Sequence, residues 1–299
     1  MYYSTPLRMA FYRENEEHIQ KDYAIETVLE TFQTGKSLLE IVKTNLFGEA
    51  LFLDNELQLT LRDEYIYHES LVHPGMSLSL QPKRVCILGG GDGCAAREVL
   101  KWSGVEQIDI VDWDKEVLNL FQDKYCHWNS MSFHSPKVKC FAEDVLKFQP
   151  QGTYDIVFVD LVDPDYKDKN SRLLWEPLIQ KLPCFVNENG SLVLNVGGMK
   201  PWNTVNQEWI NMLLANAFKT NTTHKLQAYK CFVPSFATDW CFLLICPIDS
   251  HVNPIGLEKS SVLKYFDKHA WFHATNWTRD YKTNLPLEPV KLISYLPSL

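Results

Sequence analysis

Four aspartates each follow an apolar run. Arg84 to Leu88 leads into Gly89-Gly90-Gly91-Asp92-Gly93, and Gln107-Ile108-Asp109-Ile110-Val111 ends in Asp112. Val138 to Phe141 is followed by Ala142-Glu143-Asp144-Val145, and Ile156-Val157-Phe158-Val159 ends in Asp160. If these runs are parallel strands, the acids gather at their carboxyl ends, where an open α/β sheet forms its crevice. Any one of them could be a turn or helix-cap acid. That explanation accounts poorly for all four together.

The glycines narrow the chemistry. At a strand-to-helix turn they remove the Cβ atoms that would hold a nucleotide away from the backbone, and they permit positive φ. Asp92 stands where a phosphate-binding loop would offer bare N–H groups to an anion, so the ligand carries positive charge near this loop. Asp112 follows about 20 residues later, the spacing at which an acid binds the hydroxyls of a ribose. Asp144 is placed to accept a hydrogen bond from an adenine amino group. A nucleoside that lacks phosphates and bears a cation fits all of these, and an S-adenosyl sulfonium compound is one.

The elements that would position these residues can be read from the pattern. Tyr23 to Phe32, Ser37 to Lys43 and Glu49 to Leu59 are β-rich, with Asp54-Asn55 as a hairpin signal. Residues 1–60 are therefore expected to form a small antiparallel β-domain, and 61–299 a nucleoside-binding domain with a C-terminal extension. Asp63 to His73 turns helical. Beyond Gly93 the spacing predicts helix Ala95–Trp102, strand Gln107–Asp112, helix Lys115–Cys126, strand Val138–Phe141, strand Tyr154–Asp160, helix Arg172–Lys181 and strand Gly190–Val196. Such alternation implies an α/β fold with a doubly wound parallel sheet. Lys225–Phe232 and Trp240–Cys246, separated by Val233-Pro234-Ser235-Phe236, would close it as an antiparallel pair. This is the strand plan of a Rossmann-like, class I methyltransferase-type fold. The segment after Pro247 carries several aromatic residues and no legible chemistry.

Bulk properties set limits on partners. With 299 residues, 45% of them hydrophobic, the chain can bury a large core. A net charge of −8 argues against nucleic acid or an anionic membrane as partner and suits a cationic substrate. The eight cysteines are scattered without CxxC spacing and read as reduced thiols of a cytoplasmic protein. Residues 1–17 hold no apolar core of a leader.

The combination Gly89-Gly90-Gly91-Asp92-Gly93, Asp112, Asp144 and Asp160-Leu161-Val162-Asp163-Pro164 resembles, in order and spacing, the polyamine aminopropyltransferases: the spermidine, spermine and thermospermine synthases. Gln58 to Glu69, with Tyr67-His68-Glu69, looks like that family's segment before its nucleotide domain. Ser70-Leu71-Val72-His73-Pro74 and Val233-Pro234-Ser235-Phe236-Ala237 are most similar to the thermospermine synthase branch. The resemblance covers roughly residues 20–246.

It implies an aminopropyltransferase that uses decarboxylated S-adenosylmethionine as co-substrate, a polyamine as acceptor, 5′-methylthioadenosine as by-product, no bound cofactor and no metal. It also implies a homodimer. By resemblance Asp160 is the proton acceptor. His68, Gly89, Gly90, Gly91, Asp92, Asp112, Asp144 and Val145 would contact the donor, and Tyr67, Asp163 and Phe236 the acceptor. Elementary chemistry agrees: an amine attacks carbon beside a sulfonium only as the free base, yet with a pKa near 10 it is mostly ammonium at neutral pH. A carboxylate can take or orient that proton at the moment of attack.

Two positions depart from the family. Ser37 stands where a glutamine is usual, and Phe236 where many spermidine synthases carry a tyrosine that closes on putrescine. The second, with Leu161-Val162 in place of small hydroxyl residues, favours spermidine over putrescine as acceptor, with a putrescine-using spermidine synthase, a class I methyltransferase and a non-catalytic family member as the alternatives. Spermine and thermospermine as products stay open.

Overall fold

A computed structural model describes residues 10–16, 19–78, 81–219, 223–254 and 263–291. Of the N-terminal stretch 1–17, residues 1–9 and 17 lie outside that description. The chain divides into two compact units. One comprises Met1–Tyr65 with Pro234–Phe236, the other Ile66–Val233 with Ala237–Leu299.

The smaller unit is a five-stranded meander of β1 (Ala10–Glu16), β2 (Ile19–Gln33), β3 (Leu38–Thr44), β4 (Gly48–Leu53) and β5 (Glu56–Thr60), paired antiparallel in chain order. Asp54 and Asn55 both take positive φ, 49° and 70°, in the turn between β4 and β5. That is the conformation these residue types tolerate in tight hairpins. Ser37 begins the return into β3, its N–H donating to Thr34 Oγ1 at 2.9 Å. The distant segment Pro234–Phe236 joins this unit because Ser235 donates from its N–H and its hydroxyl to the buried Asp63 carboxylate, at 2.7 and 3.0 Å.

The larger unit is built on one eight-stranded sheet. Helix α1 (Glu64–Met76) leads to β6 (Arg84–Gly89), α2 (Cys94–Leu100), β7 (Gln107–Asp112), α3 (Lys115–Asp123), β8 (Val138–Ala142), β9 (Tyr154–Asp160) and α4 (Lys169–Lys181). There follow β10 (Val186–Met199), α5 (Val205–Ala217), β11 (His224–Val233), β12 (Thr238–Pro247), α6 (Lys268–Thr275) and β13 (Val290–Lys291). The strand order is β13-β11-β12-β10-β9-β6-β7-β8. From β10 to β8 neighbours run parallel, whereas β12, β11 and β13 are antiparallel. The order reverses between β6 and β9, so the crevice of this α/β, Rossmann-like fold opens where the Gly89 turn and Asp160 lie side by side.

Both faces of the sheet are covered, which explains why its strands read as continuous apolar runs instead of alternating ones. Trp175, Leu178 and Ile179 of α4 share one core cluster with Val157 and Val159 of β9 and with Leu192 and Leu194 of β10. On the other face Gly75 of α1 lies so close to the sheet that a Cβ there would stand 2.6 Å from Ile156 Cδ1 and 2.9 Å from Val193 Cγ2.

Several boundaries differ from the sequence reading for local reasons. Helix α3 stops at Asp123 because Tyr125 N–H reaches back to Leu120, and tight turns follow, with Ser130 and Met131 at positive φ. Helix α4 starts three residues before Arg172, capped by Asp168, which accepts from Ser171 N–H at 2.8 Å. Strand β1 and helices α5 and α6 have no counterpart among the expected elements. Among the described residues no helix is long and apolar enough to cross a membrane.

Gly75→Ala should lower stability by about 1–3 kcal/mol, since the methyl must displace side chains on two core strands. Gly104, with open space at its Cβ, is the control, and its alanine variant should stay within about 0.5 kcal/mol. Denaturant midpoints of the two variants measure this.

Candidate active site

The turn after β6 is backbone brought to the limit of close approach. A Cβ at Gly89, whose φ is +89°, would lie 1.9 Å from the carbonyl oxygen of Asp160. A Cβ at Gly90, φ +71°, would reach Asp160 Oδ2 at 3.7 Å and Ile87 Cγ2 at 3.0 Å, and one at Gly91 would meet Asp112 Oδ2 at 2.7 Å. The glycines therefore let two strand-end acids crowd the loop itself. Gly91 N–H donates to Asp112 Oδ2 at 3.1 Å, and Asp114 N–H to Asp112 Oδ1 at 2.9 Å. Burial and the nearby charges of Asp114 and Asp92 outweigh those two bonds and push the Asp112 carboxyl up to about 6.

Asp92 is fixed from two sides. Its Oδ1 accepts from Cys94 N–H at 2.7 Å, and its carbonyl accepts from Asn129 Nδ2 at 2.8 Å. The same oxygen Oδ1 faces His68 Nε2 at 3.8 Å. His68 is buried on α1, one residue beyond Tyr67.

Tyr67 Oη donates to Asp160 Oδ1 at 2.5 Å. Asp160 keeps some solvent access, yet burial pushes its carboxyl up to about 6, and the charge of Asp92 pushes the same way. His68 and the Tyr67 hydroxyl pull it down. Burial and the charges of Asp160, Asp163 and Asp92 all raise the Tyr67 phenol well above its usual value, so it is a permanent donor here. Its ring is held edge-on by His68, at 5.1 Å between centroids, and by Trp240 at 6.2 Å, and it lies against Phe242 at 5.5 Å. Three acids that bear on one tyrosine, one of them itself raised by burial and by its neighbour Asp92, make a site which a cation relieves.

Asn195, buried in β10, was not anticipated. Its amide donates to Leu161 O at 3.1 Å and Asp163 Oδ1 at 3.3 Å, and accepts from Gly197 N–H at 2.9 Å and Trp240 Nε1 at 2.7 Å. It thereby sets the path of Asp160-Leu161-Val162-Asp163 against β12. The pairing of β10 with β12 slips between Asn195 and Gly198, and a strand pattern gives no notice of such a bulge.

The remaining expected residues are less engaged. Asp144 Oδ1 accepts from Leu146 N–H at 2.9 Å, a turn-acid contact, and the Val145 side chain is buried in the main core cluster. Asp163 is exposed, with Asn195 Nδ2 donating to its Oδ1 at 3.3 Å, and its carboxylate lies close against Gly197. Phe236 is buried and belongs, like Ser37, to the smaller unit. The larger unit thus brings Tyr67, His68, Gly89, Gly90, Gly91, Asp92, Asp112, Asp160 and Asp163 around the end of β6 and β9.

Comparison with known proteins gives this arrangement a class. The family described as Spermine/spermidine synthase domain matches residues 64–254. A polyamine aminopropyltransferase of Saccharolobus solfataricus is 38% identical over 175 residues, 57% of this chain and 58% of that protein. Polyamine aminopropyltransferase 2 of Bacillus cereus is 36% identical over 199 residues, 65% and 52% of the two chains. A polyamine aminopropyltransferase of Aeropyrum pernix is 30% identical over 226 residues, 74% and 69%. The match thus spans less than two thirds of the first two relatives. A crystal structure of spermidine synthase from Thermotoga maritima superposes with a TM-score of 0.75 at 22% identity, covering 92% of this chain and 93% of that one. A crystal structure of spermidine synthase in complex with the transition state analogue AdoDATO superposes with a TM-score of 0.77 at 22% identity, covering 92% and 94%. The fold is that of these synthases, and the chain belongs to the spermine/spermidine synthase domain family.

The raised Asp160 carboxyl has a thermodynamic signature. Its folded value of about 6 lies above the ordinary 3.8, so the native state binds the proton more tightly and loses stability as pH climbs from about 4 to about 6. Asp160→Asn removes that penalty. The variant should gain about 1–2 kcal/mol over the parent at pH 8, after allowance for solvent screening, and nothing at pH 4. Urea titrations at the two pH values test it, and an equal effect at both would refute the assignment.

Proposed function

We propose that this chain transfers the aminopropyl group of decarboxylated S-adenosylmethionine to a polyamine, with spermidine as the preferred acceptor, releasing 5′-methylthioadenosine. The observation that carries the reading is the Tyr67 and Asp160 pair, a half-buried carboxylate poised near pH 6 beside a glycine turn that admits no side chain.

In this reading Asp112 binds the ribose hydroxyls, Asp144 and Val145 the adenine, and Asp92 with His68 the ammonium end of the donor. Gly89, Gly90 and Gly91 allow the donor's chain to pass against the backbone. Tyr67 and Asp163 hold the acceptor nitrogen in line with the C–S bond, positioning that can supply several kcal/mol of the barrier. The nitrogen lone pair attacks the carbon next to sulfur, the C–S electrons return to sulfur as a neutral thioether, and the nitrogen's proton passes to Asp160. A carboxyl near 6 is ionised at pH 7 and close enough to neutrality to accept a proton efficiently. For the acceptor, Leu161 and Val162 stand where spermidine synthases, by resemblance, place small hydroxyl residues, and apolar side chains there favour a triamine, which has an additional methylene segment to bury, at about 0.8 kcal/mol per buried CH₂. Phe236 withholds a hydroxyl that resemblance to spermidine synthases would assign to putrescine. The family resemblance further suggests a homodimer in the cytoplasm, and light scattering measures the first point.

Purified protein incubated with the decarboxylated donor and a panel of amines, with products separated by chromatography, tests the reading directly. Spermidine should be used with kcat/KM at least about tenfold above putrescine. Equal use of putrescine would make the chain a spermidine synthase, and transfer of a methyl group from S-adenosylmethionine would make it a methyltransferase. Asp160→Asn should lower kcat by about 10²–10⁴ while 5′-methylthioadenosine binding stays within a few fold.

The acidic limb of kcat/KM should break near pH 6, activity falling below it as Asp160 takes up its proton. Tyr67→Phe removes a hydrogen bond that holds Asp160 down, with His68 and Asp92 unchanged around it, so the break should move to higher pH. A break that stays in place in Tyr67→Phe would show that another group limits the acidic side.

A further inference from the structure

Two residues beyond Tyr67 on α1, Glu69 is buried with no measurable exposure. A carboxylate in that setting is tolerated only when its lone pairs are satisfied. They are satisfied by residues about 195 positions later in the chain: Glu69 Oε1 accepts from Lys264 N–H at 2.9 Å, and Oε2 from Tyr265 N–H and Phe266 N–H at 2.8 Å each. Lys101 Nζ stands 3.8 Å away. Three successive N–H groups turned onto one oxygen pair make an anion-binding nest, here occupied by a side chain of the protein's own helix.

The contact is reinforced along α1. Phe266 packs on His73 at 5.9 Å between centroids, and His73 is bonded to Glu98 at 2.9 Å and to Trp102 at 3.2 Å. Trp271 of α6 packs edge-on against Tyr229 at 5.3 Å, and Tyr229 Oη donates to Ser70 O at 2.9 Å. Positions 69, 70 and 73 of α1 are therefore gripped from the tail side, within two turns of Tyr67. The hydroxyl of Tyr67 must meet Asp160 at hydrogen-bond distance. A shift of α1 by about 1 Å would break that bond, and misplacements of this size can cost about 10²-fold in rate.

We infer that Glu69 is a positioning residue and that the segment Lys264 to Trp271 is a strap, which together hold α1 at the height where Tyr67 reaches Asp160. The inference rests on the aminopropyl-transfer reading for its kinetic consequence and on geometry alone for the position of Tyr67.

The experiment is a double-mutant cycle on the full chain with Glu69→Gln, Tyr67→Phe and the double variant, measuring kcat and KM for the amine. Glu69→Gln should lower kcat by about tenfold or more in the parent, and by less than about threefold once the Tyr67 hydroxyl is absent. Losses that multiply in the double variant, or a kcat above half the parent value in Glu69→Gln, would overturn the inference. If Glu69→Gln does not fold, Lys264→Pro removes one donor of the nest and leaves α1 intact, and its kcat loss should vanish in the same way in Tyr67→Phe.

Independently of turnover, the ¹³Cζ NMR signal of Tyr67, assigned by its loss in Tyr67→Phe, should move in Glu69→Gln. An unmoved signal would overturn the inference. Absence of turnover in the parent would instead refute the functional reading and leave this spectroscopic result to stand by itself.

Discussion

Everything in the larger unit depends on keeping a carboxylate at a strand end without fully hydrating it. Asp160 is driven there by its sequence neighbours: Ile156-Val157-Phe158-Val159 lie buried between covered faces of the sheet, and the next residue must emerge at the crevice. Withdrawn from water, the acid becomes a stronger base, and the fold limits the penalty with the nearby His68 and the hydroxyl of Tyr67. A fully paired carboxylate such as Glu98, held well below the usual range by His73, Arg97 and Lys101 despite its burial, could not take a proton near neutral pH. The contrast between Asp160 and Glu98, both shielded by the same unit, is the difference between an acid whose proton affinity burial raises and one that its ion-pair partners hold ionised.

The glycine turn obeys the same constraint from the opposite side. Strands β6 and β9 are neighbours at the reversal of strand order, so the turn that leaves β6 must pass directly over the end of β9. With Gly89 placed so that a methyl would overlap the Asp160 carbonyl, the loop lies flat. A ligand can then approach both strand ends at once.

What could be read from the sequence followed from period and punctuation. The run Gln107 to Asp112 and the run Tyr154 to Asp160 are strands at the boundaries their composition indicates, because their buried positions are mostly filled by β-branched and aromatic residues. The acids around the glycine turn were legible because strand ends of a parallel sheet converge by topology. Asn195 was not, since its importance arises from a bulge and from partners on three different elements. Helix α6 escaped notice because its aromatic residues, Trp271 and Phe272, show no amphipathic period. One of them serves the packing under α1 and the other faces solvent.

The bond between Glu69 and the backbone at Lys264 also imposes an order in time. A ribosome adding 5–20 residues each second needs about 10–40 s to travel the 195 positions between them. Through that interval the carboxylate of Glu69 lacks its three backbone donors, and the helix that carries Tyr67 lacks the packing of Phe266. The crevice between β6 and β9 can form from residues already made, whereas the contacts of Glu69 wait for the last quarter of the chain. Assembly of this unit is thus a process in which the strand ends meet before helix α1 receives its last contacts.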